Sequence, residues 1–229
     1  MPIQVLPPEL AAKIAAGEVI ERPVSVVKEL LENAIDAGAD DIQVEIVQGG
    51  RRLIRVSDNG CGIAAAEAEL AFARHATSKL HAAEDLYRLR TLGFRGEALA
   101  SIAAVSQATL STRAAQDELG TLLRLEGGAL VQRSSQGRPV GTAVQVENLF
   151  FNMPARLKFL RADATEAGHV ARLLTSYALA FPERRFGLQH NERLVLRTQG
   201  TGKLLDVLVA LYGLDVAEQE PLDTASPLV

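Results

Sequence analysis

The stretch VVKELLENAIDAG, residues 26–38, decides the fold and indicates where the chemistry lies. Glu29, Asn33 and Asp36 recur at i, i+4 and i+7, a spacing that places them in one narrow stripe of an α-helix. The adjoining arc is apolar and consists of Val27, Leu30, Leu31, Ala34 and Ile35. The pattern therefore predicts a helix with a broad buried face and a polar stripe at the edge of the core.

The ends of this helix are also marked in the sequence. Pro23 stands where a first helical residue is favoured, and Gly38 stands where a left-handed residue commonly ends a helix. Lys28 and Glu32 fall on the far side of the polar stripe, where we expect them to be solvated. The stripe by itself has two interpretations. It is either the wet face of an amphipathic helix, or a carboxylate and an amide one turn apart that hold a metal ion and activate a water.

Composition and charge exclude several classes of protein. The chain has 229 residues, 48% of them hydrophobic, which is enough for one large domain with a sizeable core. A net charge of −4 argues against binding of nucleic acid through overall charge. The single cysteine, Cys61, fits a reducing compartment. The N-terminus lacks the features of a signal peptide, and no apolar run approaches the ~20 residues of a membrane span. We therefore expect a soluble, cytoplasmic protein that does not contact a membrane.

The periodicity of the chain predicts antiparallel runs of strands with helices grouped between them. Alternating apolar and polar residues predict strands at 42–47, 52–56, 107–112, 120–126, 129–133, 142–147, 186–190 and 194–198. Helices are expected at 9–16 (closed by Gly17), 64–73, 84–87, 97–105, 155–160, 165–181 (capped by Thr165) and 203–212. This order is typical of an α+β two-layer sandwich rather than of repeating βαβ units.

A glycine-bearing loop follows the second strand. Asp58, Gly60 and Gly62 lie in the sequence DNGCG, which is typical of a tight turn. The same residues also suit a nucleotide site, because a carboxylate at a strand end can accept the hydrogen bond of an adenine amino group. The glycines lack the Cβ atoms that would keep the backbone away from a flat ring.

A second glycine-bearing loop opens the helix at 97–105. Its sequence, residues 93–99, is GFRGEAL. The first N–H groups of a helix have no internal partners and attract anions, and Arg95 adds charge-assisted donors. Thr77, Ser78 and Lys79 offer two hydroxyls and a cation to the same anion. The alternatives here are a phosphate-binding lid and a plain loop that caps a helix.

The combination of these segments resembles the GHKL ATPases, and within them the MutL family of DNA mismatch repair. A Glu-x-x-x-Asn helix, an Asp-x-Gly-x-Gly loop and a Gly-x-x-Gly lid follow one another in that order. The stretches that carry the resemblance are 14–23, 25–38, 57–63, 74–79, 93–102 and 141–160. The resemblance implies the GHKL (Bergerat) ATPase fold, in which helices cover a mixed but mostly antiparallel sheet.

The resemblance also implies a role for each matching residue. Glu29 would be the general base for the water that attacks the γ-phosphate of ATP, and Asn33 would ligate Mg²⁺. Asp58 would bind the adenine amino group with support from Thr142, and Gly62 would let the base approach. The lid that wraps the phosphates would consist of Thr77, Ser78, Lys79, Arg95, Gly96, Glu97, Ala98 and Leu99. The role of Asp36 stays open, and one alternative is that it only orients its neighbours.

For the whole protein, the resemblance implies a weak ATPase that acts as an ATP-gated clamp. Its partners would be a second copy of itself, a mismatch-recognition protein, a downstream nuclease and helicase, and DNA, which it would contact weakly and without sequence specificity. Residues 1–20 would be an N-terminal arm with a short helix, 21–200 the ATP-binding domain, and 201–229 a connecting helix and the incomplete start of a second domain. The family's second-domain lysine and its endonuclease site would lie outside this sequence.

Three further questions stay open at this point. The arm at 1–17 either exchanges between two copies or packs on its own sheet. The small basic cluster Arg156, Lys158 and Arg161 is either a solvated helix face or a DNA contact. The competing functions are another ATPase or kinase of the same superfamily, and a protein-interaction module whose nucleotide pocket is only structural.

Overall fold

A computed structural model describes residues 4, 7–79, 91–93 and 96–213. The helix expected at 84–87, the lid residue Arg95 and the end of the chain from residue 214 onward lie outside these ranges. The helices are α1 (Pro8–Val19), α2 (Pro23–Asp36), α3 (Ala98–Ala104), α4 (Pro154–Phe159), α5 (Asp163–Ala180) and α6 (Leu204–Tyr212). The strands are β1 (Asp41–Val47), β2 (Leu53–Asp58), β3 (Gln107–Arg113), β4 (Gly120–Glu126), β5 (Ala129–Gln136), β6 (Gly141–Glu147), β7 (Arg185–His190) and β8 (Arg193–Arg197).

In the described part of the chain, the strands form one sheet in the order β5-β4-β3-β6-β2-β1-β7-β8. Neighbouring strands are antiparallel except β1 and β7, which run parallel. The hairpins expected around residues 48–51, 127–128 and 191–192 are all present. The α+β prediction with a mixed, mostly antiparallel sheet is therefore confirmed.

The sheet has one buried face and one polar face, which makes the molecule two-layered. Ile42, Val44 and Ile46 of β1 are buried under the helices. On the opposite face, Arg55 of β2 bridges Glu45 of β1 and Gln145 of β6 through hydrogen bonds of 2.6–3.1 Å. An alternation of this kind is what a sheet covered by helices on one side requires.

Helix α2 has the predicted limits, and it packs on the centre of the sheet. Its apolar face is buried through Val26, Val27, Leu30, Leu31, Ala34 and Ile35. Gly38 has φ +73°, the left-handed conformation expected after the helix end at Ala37. The prediction that Glu32 is solvated is wrong, because only 7% of this residue is exposed.

Helix α1 is longer than predicted and does not end at Gly17. Gly17 lies inside the helix and is buried, and a Cβ atom there would come within 2.9 Å of the Arg156 guanidinium. The glycine thus provides room for Arg156, whose Nη1 donates to the carbonyl of Ile20 at 3.2 Å. The helix packs against α3 of the same chain. This packing favours the intramolecular alternative for the helical part of the arm.

The helix predicted at 64–73 is wrong. The segment forms turns and a short 3-10 piece, Leu70–Phe72. Long-range hydrogen bonds replace the helical ones at Ala65, because Asp117 Oδ2 accepts its N–H at 3.0 Å and Arg133 Nη2 donates to its carbonyl at 3.1 Å. Arg133 also pairs with Glu69. These partners lie more than 50 residues away, so the high helix propensity of the segment does not decide its structure.

The cap predicted for the long helix α5 is also wrong. The helix begins at Asp163 after Ala162, without a side-chain cap, and Thr165 lies in its first turn. Asp163 and Glu166 place negative charge in that turn, where the helix dipole favours it. Of the helices in the described ranges, none combines the length and the apolar character needed to cross a bilayer.

Candidate nucleotide site

One cavity of about 1500 Å³ collects the sequence-predicted residues that lie within the described ranges. It lies between α2, the ends of β2 and β6, and the segments on either side of residues 80–90. Its lining includes Glu29, Asn33, Asp36, Asp58, Gly62, Thr77, Ser78, Lys79, Gly96, Glu97, Ala98, Leu99 and Thr142. Segments that are far apart in the sequence, including the acidic residues Glu29 and Asp58, therefore converge on one space.

One end of the cavity suits a flat, partly apolar ring. Val56, Ile63, Leu110 and Val144 line it together with Asp58 and Thr142. Asp58 and Thr142 are directly opposite each other in the β2–β6 ladder. The carboxylate accepts the Gly60 N–H at 2.8 Å through Oδ1. An acceptor at the rim of an apolar slot matches the exocyclic amine of a purine.

The electrostatic environment of Asp58 is unfavourable to its charge. Burial raises the pKa of the Asp58 carboxyl, and this effect exceeds the opposing effects of the Gly60 and Thr142 backbone N–H groups and of the Arg138 charge. Burial also disfavours the charged form of Arg138 and so lowers its pKa. The negative charge of Asp58 partly offsets this decrease. A desolvated carboxylate that lines a cavity is a candidate for contact with a ligand.

A glycine is needed at position 62 for a structural reason that the sequence did not reveal. It has φ +71°, and a Cβ atom there would lie 2.0 Å from the Arg113 carbonyl oxygen. The glycine is thus required by the approach of the β3 end, whatever else binds nearby. The next N–H, of Ile63, donates to Thr112 Oγ1 at 2.8 Å.

Thr112 supports this end of the cavity, a role that the sequence did not indicate. Its hydroxyl is fully buried and lies 3.0 Å from the Thr142 hydroxyl. It thereby links the loop after β2 to the β6 residue opposite Asp58. The alternating pattern of β3 does not indicate this role, because Thr112 occupies an ordinary inward-facing strand position.

The other end of the cavity is polar and joins α2 to the loop segments. Lys79 Nζ donates to Asn33 Oδ1 at 3.0 Å and to Asp36 Oδ2 at 2.6 Å. Asp36 also accepts the N–H groups of Leu92 and Gly93 at 3.0 and 3.1 Å. The residues before and after 80–90 therefore meet at the last turn of α2.

The start of α3 is tied to the same loop. His75 Nδ1 lies 3.0 Å from the Glu97 carboxylate, and a Cβ atom at Gly96 would come within 2.7 Å of the Ala76 carbonyl oxygen. Gly96 has φ +64°, so a glycine is favoured there on two grounds. Glu97 and the residues behind it line the cavity, whereas Arg95 lies outside the described residues.

A cluster of polar side chains, Tyr177, Glu32 and Lys28, lies beside the polar stripe of α2 and was not predicted. The Tyr177 hydroxyl of α5 donates to Glu32 Oε1 at 2.7 Å, and Lys28 Nζ lies 3.3 Å from the same oxygen. Burial raises the pKa of Tyr177, and the Glu32 hydrogen bond and the charges of Glu32, Glu29 and Asp36 raise it further. The Lys28–Glu32 spacing is visible in the sequence, but a tyrosine 145 positions away is not.

The basic cluster of Arg156, Lys158 and Arg161 is only partly exposed at the surface. Arg156 is half-buried and bonds to the Ile20 carbonyl, so its charge serves the packing of α1. Lys158 and Arg161 are exposed. The structure therefore leaves two of the three cations of this cluster at the surface.

Residues 18–147 match the family described as histidine kinase-, DNA gyrase B-, and HSP90-like ATPase. The DNA mismatch repair protein MutL of Syntrophotalea carbinolica is 52% identical over 226 residues, which are 98% of this chain and 36% of that relative. MutL of Citrifermentans bemidjiense is 54% identical over 195 residues, covering 85% of this chain and 30% of the relative. The chain thus spans about a third of the length of these curated relatives.

Two solved structures are similar to the chain over most of its length. The Aquifex aeolicus MutL ATPase domain complexed with ADP superimposes with a TM-score of 0.69 at 38% identity, covering 85% of this chain and 70% of that one. The N-terminal domain of a DNA repair protein gives a TM-score of 0.76 at 26% identity, covering 89% of this chain and 60% of that one.

Proposed function

This chain belongs to the MutL family of DNA mismatch repair proteins, and we propose that its cavity binds ATP with Mg²⁺ and catalyses attack of water on the γ-phosphorus, with ADP and phosphate as products. The observation that carries the proposal is the convergence of Glu29, Asn33 and Asp58 on one cavity. A pocket with an apolar slot at one end and charged groups at the other suits a molecule made of a base and a phosphate chain.

At the base end, the Asp58 carboxylate accepts a hydrogen bond from the adenine amino group, and Thr142 lies opposite to support it. The raised pKa of Asp58 supports this assignment, because a hydrogen bond from the ligand replaces hydration that burial removes. The MutL ATPase domain of Aquifex aeolicus is described as complexed with ADP, and this relative supports an adenine nucleotide as ligand.

At the phosphate end, Asn33 would ligate the metal ion. An amide oxygen is a hard ligand, and Mg²⁺ usually takes one or two protein ligands together with substrate phosphates, so the donor set fits. Bound there, the ion would neutralise charge on the phosphates. The lid that closes on the phosphates consists of Thr77, Ser78, Lys79, Arg95, Gly96, Glu97, Ala98 and Leu99.

Glu29 acts as the general base that orients and deprotonates the attacking water. Phosphoryl transfer needs positioning and electrostatic stabilisation more than covalent help from the protein. A carboxylate on a helix whose other face is buried is held rigidly enough for this purpose. The position of Glu29 one turn before Asn33 sets the base next to the phosphate end of the cavity.

The wider role that follows is an ATP-driven switch in DNA repair. Nucleotide binding would order the lid and bring two N-terminal regions together. The dimer would pass the signal from a mismatch-recognition protein to a nuclease and a helicase, with weak contact to DNA, in the cytoplasm where bacterial DNA lies. We assign residues 1–20 to the arm, 21–200 to the ATP-binding domain and 201–229 to the connection with the next domain.

The test is a Mg²⁺-dependent ATPase assay on Glu29→Ala, with binding of a non-hydrolysable ATP analogue measured in parallel. We expect analogue affinity to stay close to wild type while kcat falls by roughly 10²-fold or more, the usual contribution of a general base. Asn33→Ala and Asp58→Ala should instead lose analogue binding.

Glu183→Ala is the control, because Glu183 is an exposed glutamate that does not line the cavity. Unchanged turnover in Glu29→Ala would remove Glu29 from the role of base. Analogue binding without any turnover in the wild type would favour the alternative of an interaction module with a structural nucleotide pocket.

A further inference from the structure

Lys79 places its ammonium on the two oxygens of α2 that face the phosphate end of the cavity. It lies 3.0 Å from Asn33 Oδ1 and 2.6 Å from Asp36 Oδ2. The Lys79 side chain is 18% exposed and the Asp36 side chain 7% exposed, so this ion pair is largely shielded from solvent. Charge-assisted hydrogen bonds in such a setting are stronger than those at the surface.

Asp36 holds more than the ammonium. Its Oδ1 accepts the Leu92 N–H and its Oδ2 accepts the Gly93 N–H, at 3.0 and 3.1 Å. A Cβ atom at Gly93 would come within 3.1 Å of Lys79 Nζ, so these groups pack closely. Asp36 therefore anchors Lys79 together with Leu92 and Gly93, which gives a role to the residue that the sequence left unassigned.

The ammonium and a divalent ion need the same oxygens. Asn33 and Asp36 lie one helical turn apart, and an amide and a carboxylate oxygen are the ligands that Mg²⁺ and Mn²⁺ prefer. A monovalent and a divalent cation on one shared oxygen repel each other by several kcal/mol at a separation of about 4 Å, even in a well-screened site. One cation must leave when the other arrives.

We propose that Lys79 keeps divalent metal off Asn33 and Asp36 until the phosphates of a nucleotide draw its ammonium away, so that the metal binds tightly only together with nucleotide. Asp36 is the positioning residue that holds Lys79 and both loop segments in place. This inference rests on the proposed nucleotide site, and it adds the order in which metal and nucleotide act on it.

The test measures Mn²⁺ binding by electron paramagnetic resonance on the whole chain without added nucleotide. Lys79→Met removes the competing cation and leaves the Asp36 charge unpaired. We expect its Mn²⁺ affinity to rise about tenfold or more over wild type, a change that corresponds to roughly 1.4 kcal/mol. Lys79→Arg keeps the charge and should stay near wild type.

Two further variants decide whether the effect is local. Lys28→Met removes another cavity lysine, one that pairs with Glu32 rather than with Asn33 or Asp36, and it should leave Mn²⁺ affinity near wild type. Adding Asp36→Asn to Lys79→Met should cancel the gain. Equal affinity in wild type and Lys79→Met, or an equal gain in Lys28→Met, overturns the proposal. If Lys79→Met lacks a native circular dichroism spectrum, Lys79→Gln takes its place.

Hydrogen exchange tests the positioning role without metal. In Asp36→Asn one acceptor oxygen is lost, so the Leu92 and Gly93 amides cannot both keep their partner, and their exchange should accelerate about tenfold or more. Asp117→Asn, which alters another carboxylate that accepts a loop N–H, should leave these two amides unchanged. Equal exchange in Asp36→Asn and wild type overturns the anchor.

The outcomes separate this inference from the proposed function. If the wild type binds no ATP analogue, the proposed function fails, while the nucleotide-free Mn²⁺ titration still decides the competition. If the analogue binds and Lys79→Met gains no Mn²⁺ affinity, the proposed function stands and the order of binding does not.

Discussion

At the scale of single residues, Asp58 shows how a binding group costs stability. Its carboxylate is desolvated at the end of β2, and burial raises its pKa against the help of two backbone N–H groups. Asp40, on the exposed loop that leads into β1, has the opposite shift, because the Asn59 side chain donates to it and lowers its pKa. The contributions of Asp58 and Asp40 to the free energy of unfolding should therefore change in opposite directions as pH rises.

The prediction concerns the free energy of unfolding of the wild type relative to Asp58→Asn. The native state holds the Asp58 proton more tightly than the unfolded chain, whose aspartates titrate near ~3.9. Stability from this group is thus present below that pH and is lost as pH rises through the raised native pKa. Urea unfolding between pH 4 and 7.5 should show the wild type losing stability relative to Asp58→Asn as pH rises. The same comparison with Asp40→Asn should stay level or rise, and a level result for both pairs would contradict the raised pKa.

At the scale of elements, α2 is supported by hydrogen bonds from α5 and from the turn that follows α5. Tyr177 donates to Glu32, and the Arg184 guanidinium donates to the carbonyls of Ile35 and Ala39 near the end of α2. Arg184 also lies over the Phe181 ring, 5.6 Å from its centroid. These contacts fix the helix along the side that faces α5, which holds the polar stripe in place against the sheet.

Tyr177→Phe tests this support, because it removes one hydroxyl and leaves the ring. The loss of a partly buried hydrogen bond to a carboxylate should lower the free energy of unfolding by roughly 1.5–3 kcal/mol. Tyr212→Phe changes an exposed tyrosine of α6 and should stay within about 0.5 kcal/mol of wild type. Urea denaturation measures both. In the double variant with Glu32→Gln, we expect less than the sum of the single effects, and strict additivity would count against the pair.

At the scale of the whole molecule, the proposed switch requires two copies to associate when nucleotide binds. Helix α1 packs on α3 of its own chain, and Ala16 and Ile20 are fully buried. The C-terminal end of this helix is thus part of the domain core. We therefore expect association with a second copy to depend on the residues that precede the helix.

Size-exclusion chromatography with light scattering measures the association. We expect a shift from monomer to dimer on addition of a non-hydrolysable ATP analogue with Mg²⁺. Removal of residues 1–6 should abolish the shift and leave analogue binding unchanged. A monomer that persists with saturating analogue would contradict the switch, and a dimer that forms equally without nucleotide would contradict its control by ATP.

The sequence by itself determined the elements whose signals are local. Pro23 and Gly38 mark the limits of α2, and the period of its apolar residues predicts which face is buried. Alternation along the chain predicts the strands, and glycine or asparagine pairs predict their turns. These signals succeed because they depend on backbone geometry within a few residues. The order of the acidic and glycine motifs likewise identified the candidate site, since the motifs themselves are short and contiguous.

Only the tertiary structure decided what depends on distant partners. Gly17 lies inside α1, where the absence of a side chain leaves room for the Arg156 guanidinium. The segment at 64–73 is not helical, because Ala65 forms hydrogen bonds with Asp117 and Arg133 instead. Glu32 is buried because Tyr177 reaches it, and the ammonium of Lys79 meets Asn33 across 46 positions of sequence. Contacts of this kind are made by the packing of elements against one another, so no local pattern of residues contains them.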